Sequence, residues 1–397
     1  MRLGTANNYD NALQNLYTRQ SELSSQQEKL TSGKNVNRAS DDPIGAAIVE
    51  RSLTRITRLG VEERALDIQR NAITAAESTL GEATEMLQNI REFVVGAGNG
   101  GYSPSDRSSL AKAMTGWRDQ LFSLANRQDT NGAPLFGGLG SSSVPLTDVP
   151  GGVTSNSVGG QRGATEVTIP GTMDGRAIWM NVPTGNGTFD VKLGGTNAGT
   201  VLTDPGQVIS PSALTGNAYS VTFSVVAGVT TYDVLNTTTS TPVAPASRPY
   251  VDGQAIQFDG MSFNAQGTPT NGDTLQISPS TQTNIFKILD DAITGIDGAT
   301  AGNQLTQVIG LALAQIDSGM DRIQSARGQA GTWLNRADNI STVQSGRSVQ
   351  LAADKSRAED LDMVKGISDF QKIQTGYQAA LQSYAQVQKL SLFNFIN

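Results

Sequence analysis

The chain of 397 residues has no cysteine and no histidine. Disulfide frameworks, thiolate nucleophiles, the usual zinc sites and every catalytic triad built on imidazole are thereby excluded. Basic residues are outnumbered, 29 against 36 acidic, and the net charge is −7. They lie scattered singly, so the chain has no clustered surface that would track phosphates, and nucleic acid is not an expected partner. No window approaches the roughly 18 consecutive apolar residues of a membrane span, so no membrane partner is expected either. The first twenty residues, MRLGTANNYDNALQNLYTRQ, have neither an apolar stretch nor a small-residue cleavage site. They are not expected to be a cleaved signal peptide. An apolar content of 37% supports packed cores but is low for one large globule, which predicts an elongated molecule of two to four domains.

What the chain does have is matching helical periodicity at its two ends. Tyr9, Leu13, Leu16, Leu23 and Leu30 follow steps of four and three, with Gln20 and Gln27 at the intervening seam positions. Met363, Phe370, Ile373, Tyr377, Ala380, Tyr384 and Val387 repeat the pattern near the other end. Each pattern is a coiled-coil seam, and at about 1.5 Å rise per residue each helix is roughly 40 Å long. The spacing predicts an antiparallel pair. From Ile373 to Gln388 there is no charged residue but there are five glutamines, whereas a solvated helix face is usually rich in charge. Leu13, Leu16, Leu23, Leu30, Phe370, Ile373, Tyr377, Leu381, Tyr384 and Val387 are therefore the candidate assembly interface. Gly366 and Gly376 each cost about 1 kcal/mol relative to alanine. An isolated pair is thus expected to be marginal and to order fully only on assembly.

Between the ends, Leu59, Leu66, Ile73, Leu80, Leu87 and Val94 repeat at seven, with Ala76, Ala83 and Ile90 as partner positions. A further helix is predicted from Pro104, with a core face of Leu110, Met114, Trp117, Leu121 and Leu124. From Gly137 to about Ser280 the composition turns to Gly, Thr, Ser and Asn. The runs ATEVTI, RAIWMNV, GTFDVKL, YSVTFSVV and DTLQIS read as strands separated by Gly and Pro turns. Trp179, Phe189, Phe223, Phe258 and Phe263 would anchor this region. A short helix over Asn284 to Ile296 precedes a long one marked by Leu305, Ile309, Ala312, Ile316, Ile323, Trp333, Ala337 and Ile340. The expected fold is α+β, with paired terminal arms (1–42 and 363–397), a helical bundle (43–136 and 282–362) and an inserted Gly/Thr-rich β domain (137–281). Because the heptads lie in the flanks, excising the insert is expected to leave a folded helical protein.

The most specific string is QEKLTSGKNVNRASDDPIGAAI, Gln27 to Ile48. Gly33 suits a helix C′ position, and Asp41, Asp42 and Pro43 suit an N-cap with proline at N1. This string resembles the N-terminal signature of the bacterial flagellin family. The resemblance continues in AGNGGYSPSDRSSLAKAMTGWRDQLFSLAN (Ala97 to Asn126), NGAPLFGG (Asn131 to Gly138) and AEDLDMVKGISDFQKIQTGYQAALQSYAQVQKLSLFNFI (Ala358 to Ile396). Within the family it is nearer to the members at the hook–filament junction than to the filament subunit. It implies an extracellular axial protein that joins hook to filament by self-assembly and templates flagellin polymerisation. The implied partners are further copies of itself in a ring, an adjacent hook-associated protein on the hook side and flagellin on the filament side. It also implies export through the flagellar type III apparatus, with a small chaperone covering Leu392, Phe393, Phe395 and Ile396 beforehand.

Two other readings share the coiled-coil features: flagellin itself, and a secreted adhesin with a coiled-coil stalk. A secreted glycan hydrolase is the enzymatic alternative, since Asp41 with Asp42, Asp290 with Asp291, and Glu359 with Asp360 and Asp362 are carboxylate clusters. At predicted helix ends such acids serve as caps and dipole partners. No phosphate loop, nucleophile elbow or metal-ligand spacing accompanies them, and no cofactor is expected. Asn186-Gly187-Thr188 and Asn236-Thr237-Thr238 match the glycosylation tripeptide weakly.

Overall fold

The computed structural model describes residues 5–140, 142–299 and 302–393, with side chains from 10 to 386 within them. Its helices are α1 (Thr5–Ser32), α2 (Pro43–Ala97), α3 (Pro104–Ala125), α4 (Ile285–Ile296), α5 (Asn303–Glu359) and α6 (Met363–Phe393). Local chemistry sets several of their ends. Gly33 takes φ +69° immediately past α1, a conformation without steric cost only for glycine. Ser103 and Asp106 form a reciprocal capping box around Pro104 at the start of α3. The Asn284 side chain accepts the Lys287 amide (2.7 Å) to begin α4.

Two compact units emerge, Met1–Ala65 with Asn339–Asn397, and Leu66–Asp338. Both boundaries fall inside long helices, not at the helix breaks near 42 and 363 that the sequence suggested. In the second unit the heptad residues Leu66, Ile73, Leu80, Leu87 and Val94 of α2 are all buried. Ala312, Ile316, Ile323 and Ala330 form the corresponding stripe on α5. Ion pairs Arg70–Asp338 (3.3 Å), Glu77–Arg327 (2.7 Å) and Arg91–Asp317 (2.8 Å) connect the two helices. The α2 partner rises through the chain as the α5 partner falls, so the helices are antiparallel. Such half-exposed pairs contribute at most about 1 kcal/mol each, and their main effect is to set register.

The face of α3 differs from expectation. Its buried residues are Arg107, Ala111, Met114, Arg118, Leu121, Leu124 and Ala125, while Leu110 and Trp117 are half-buried. Two arginines displace the predicted aromatic. Arg107 donates to the carbonyls of Ala97, Asn99 and Ala299 and so satisfies the end of α2. Arg118 binds Asp290 (3.0 Å), Asp119 (3.3 Å) and Asp148. Burial opposes its charge, but the Asp148 and Asp290 carboxylates prevail and raise its pKa.

The strands are β1 (Leu146–Val149), β2 (Gly152–Ser155), β3 (Val182–Pro183), β4 (Phe189–Leu193), β5 (Leu202–Thr203), β6 (Gln207–Val208), β7 (Tyr219–Val226), β8 (Val229–Asn236), β9 (Thr241–Pro242), β10 (Arg248–Pro249), β11 (Ala255–Phe258), β12 (Met261–Gln266), β13 (Thr274–Pro279) and β14 (Gln282–Thr283). One antiparallel sheet has the order β10-β8-β7-β13-β4 with β9 beside β8, and another has β11-β12-β5 with β6 also on β12. Their apolar faces share a core that includes Phe189, Tyr219, Phe223, Phe258, Phe263 and Leu275. Two runs read as strands are otherwise. Arg176–Met180 is a π-helix, and ATEVTI (164–169) lies in irregular chain. Both glycosylation-like asparagines are occupied internally. Asn186 accepts the Thr188 and Phe189 amides, and the buried Asn236 accepts those of Thr238 and Thr239.

The π-helix matters because Trp179 within it is fully buried, edge-on to Phe136 (5.4 Å) and 6.4 Å from Phe286 of α4. Ile169, Met173, Ile178 and Val182 are buried as well. Residues up to Val182 therefore complete the core beside α4, and the sequence expectation that 137–280 is dispensable is revised. The true neck of the insert is the β3–β14 pair together with Thr184, whose amide donates to the Thr281 carbonyl (2.9 Å). Replacing residues 184–281 by a short Gly/Ser turn should leave a helical protein with a cooperative melt in circular dichroism. Trp179→Ala in the full chain should cost about 3–5 kcal/mol. A Trp179→Ala protein as stable as its parent would show that this segment is not part of the core.

Candidate functional site

The helices α1 and α6 pair closely. Gln26 Nε2 donates to the Gly366 carbonyl (3.1 Å), a Cβ on Gly366 would approach Leu30 to 3.2 Å, and one on Gly376 would approach Arg19 to 3.5 Å. Partners move in opposite directions along the two helices, so the pair is antiparallel. The glycines let the backbones approach. A side chain at Gly366 would also meet Leu361 at 2.8 Å.

Leu13, Leu16, Leu23 and Leu30 of α1 and Phe370, Ile373, Tyr377 and Tyr384 of α6 are each half-buried. Leu381 and Met363 are exposed, so neither lies in the pair's own seam. Val387 falls in α6, but its side chain lies outside the described residues, as do those of Leu392 and Phe393; Phe395 and Ile396 lie wholly outside them. Among the described residues of α1 and α6, only Gly366 reaches the fully buried class. Leucine spacing has thus placed one face of each helix inward without sealing it from solvent.

Where the arms end, the two helix breaks are joined. The Leu361 amide donates to the Gly33 carbonyl (2.9 Å), and the Asn35 amide donates to the Glu359 carbonyl (2.7 Å), forming an isolated antiparallel bridge. The nearly buried Glu359 carboxylate accepts Lys34 from the α1 side and Lys355 (3.3 Å) from its own helix. The hydrogen bond from Lys34 is the main reason its pKa is lowered; Lys355 assists and burial opposes. Glu359 raises the pKa of Lys34 in return.

The break motif has its own logic. Asp41 Oδ2 accepts the amides of Arg38 (2.9 Å) and Asn37 (3.1 Å), which lowers its pKa. Asp42 Oδ1 accepts the Ile44 amide (3.0 Å) just ahead of Pro43, restarting the chain as α2. Asp362 similarly caps α6 through the Val364 and Lys365 amides. The acidic clusters weighed as catalytic pairs are thus engaged in caps and in the clamp, while Asp290 binds Arg118 and Asp291 binds Lys287. Lys34, Gln26 and the role of Glu359 were missed in the sequence, because nothing local signals that positions 325 residues apart meet.

Residues 4–141 match the bacterial flagellin N-terminal helical region, and residues 313–396 match the bacterial flagellin C-terminal helical region. Together these cover more than half of the chain. Flagellar hook-associated protein 3 of Escherichia coli (strain K12) is 25% identical over 402 aligned positions, covering 99% of each chain. A flagellin of Clostridium tyrobutyricum is 24% identical, covering 95% of this chain and 96% of its own. Among solved structures, flagellar hook associated protein-3 from Legionella pneumophila superposes with a TM-score of 0.73 at 27% identity, over 78% of this chain and 98% of that one. Xanthomonas campestris FlgL superposes with a TM-score of 0.69 at 27% identity, over 78% and 99%.

Two outcomes follow for the arms. Amides of α1 and α6 should exchange with deuterium at least about a hundredfold faster than those of Leu66 to Val94, because local opening there exposes little buried surface. Equal protection would mean that the arms are already part of the stable core. The clamp should respond to acid. A carboxylate whose pKa is lowered on folding stabilises above its ordinary value, 4.5 for Glu359, and loses that contribution as pH falls through the lowered one. Protection of residues 33–36 and 359–361 should therefore decline below the ordinary glutamate range, and Glu359→Gln should remove that pH dependence while weakening the clamp at neutral pH.

Proposed function

Because the chain belongs to the bacterial flagellin family, we propose that this structural protein of the flagellum is the subunit that joins hook to filament. Its copies assemble around the axis as a ring through the paired arms. The hook-side face meets an adjacent hook-associated protein, and the opposite face receives the first flagellin subunits. The polymer then grows from a layer of matching helices.

The observation that carries this reading is the incomplete burial of the arms. Their seam is apolar but only half-covered within one copy, and the helix bearing most of it has no charge from Ile373 to Gln388. Further apolar side chains, among them Ile44, Val61, Val343 and Val349, are exposed on the same unit. Surfaces of this kind are covered in an assembly. The match to hook-associated relatives over nearly the whole chain, insert included, supports the junction position. Before assembly such arms need protection, which supports an export chaperone on the last residues of α6 and passage through the type III apparatus.

The filament subunit is the second reading, favoured by the flagellin that aligns over 95% of this chain at nearly the same identity. Deleting the gene separates the two. The junction reading expects cells that keep hooks, lose filaments and release unpolymerised flagellin into the medium. Cells that lose the filament protein itself would make this chain the filament subunit, and unchanged filaments would overturn both readings.

A further inference from the structure

On α5 the buried stripe that includes Ala337 and Ile340 ends at Gln344, whose side-chain amide is buried with neither polar atom hydrogen-bonded. Farther along, within the unit Met1–Ala65 with Asn339–Asn397, α2 and α5 leave an open groove of about 420 Å³. Ile48 and Leu351 give it apolar lining, and Arg51, Arg55 and Arg357 stand around it with a single carboxylate, Asp354. That carboxylate is already taken by Arg357 and Gln350. Arg51 and Arg55, four residues apart on one helix face, make no hydrogen bond or ion pair among the described residues. The groove thus combines apolar contact with unspent positive charge.

The complementary surface is on the same unit. At the first turn of α6 Val364 is 82% exposed, with Met363 and Ile367 exposed beside it. Asp360 and Asp362 precede them, both exposed; Asp360 Oδ2 accepts the nearby Ser356 hydroxyl, which leaves Oδ1, and Lys365 adjoins. Asp362 spends only Oδ1 on its cap, leaving Oδ2 without a hydrogen bond among the described residues. An acidic, apolar knob and a basic, apolar groove are both unfilled in the single copy.

We propose that the start of α6 of one copy seats in the Arg51–Arg55 groove of a second copy, with Val364 against the apolar lining and the Asp360/Asp362 carboxylates toward the guanidinium groups. The contact joins two different patches, so it repeats head to tail and closes into a ring where the rotation permits. This rests on the reading of the chain as a self-assembling subunit and adds the surfaces that meet.

The absence of cysteine allows a direct test. Full chains carrying Arg51→Cys and, separately, Val364→Cys are co-expressed in a strain lacking the native gene, and isolated flagella are oxidised. The expected product is a dimer whose linking peptide joins positions 51 and 364. Only 51–51 or 364–364 links, or none, would overturn the proposal. In parallel, Arg51→Glu with Arg55→Glu, and Val364→Lys alone, should each reduce filament-bearing cells at least about tenfold through like-charge or lost contact. The melt of the free chain should be unchanged, because all three side chains are exposed. Normal filaments with either variant would count against the contact. Filaments that persist when the whole gene is deleted would instead count against the junction role.

Discussion

Both arms leave the rest of the chain at one ionic and backbone-bridged point, and their geometry depends on it. Gly33 and Leu361 bond across the two breaks while Glu359 holds Lys34. The seam between α1 and α6 is too short, too polar and too rich in glycine to find its register by apolar packing alone. With one end of the pair pinned, the remaining contacts need only align two helices that already start together. Closing a loop of more than three hundred residues is entropically expensive, and the folded body between the arms reduces that cost before they meet.

The body has a different source of order. Along α2 the stripe from Leu66 to Val94 is continuous and fully buried, while the first part of the same helix has Ser52 at a buried position and Ile44, Leu53 and Val61 exposed. One uninterrupted helix thus runs from a region stabilised within the copy to a region with apolar surface left over. Apolar surface left exposed at one end of a helix whose other end is sealed confines any further association to that end.

Much of this was legible in the residues. Periodicity located every long helix, because a seven-residue apolar repeat sustained over four turns has few other solutions. The Asp42-Pro43 start and the Gly33 stop were readable from local stereochemistry alone. Strands such as Phe189–Leu193 and Tyr219–Val226 were legible because β-branched and aromatic residues alternate within them. The failures share one cause. Arg176–Met180 has the composition of a strand but lies where Trp179 is drawn into a helical core. Arg107 and Arg118 are charged residues on a buried face, which no local pattern anticipates, because partners such as Asp148, Asp290 and Ala299 lie 30, 172 and 192 residues away. Contacts between distant parts of the chain decide burial, and burial decided both cases.

The neck at Thr184 and Thr281 bears on how such a molecule diversifies. Where a segment enters and leaves through adjacent strands, its ends lie about 4.8 Å apart, whatever the segment contains. The helices register that spacing and one further contact, in which Gln307 of α5 accepts the Thr203 amide (2.9 Å) and donates to the Thr203 hydroxyl (3.1 Å). The module between Thr184 and Thr281 can therefore change in length and content wherever that spacing is kept.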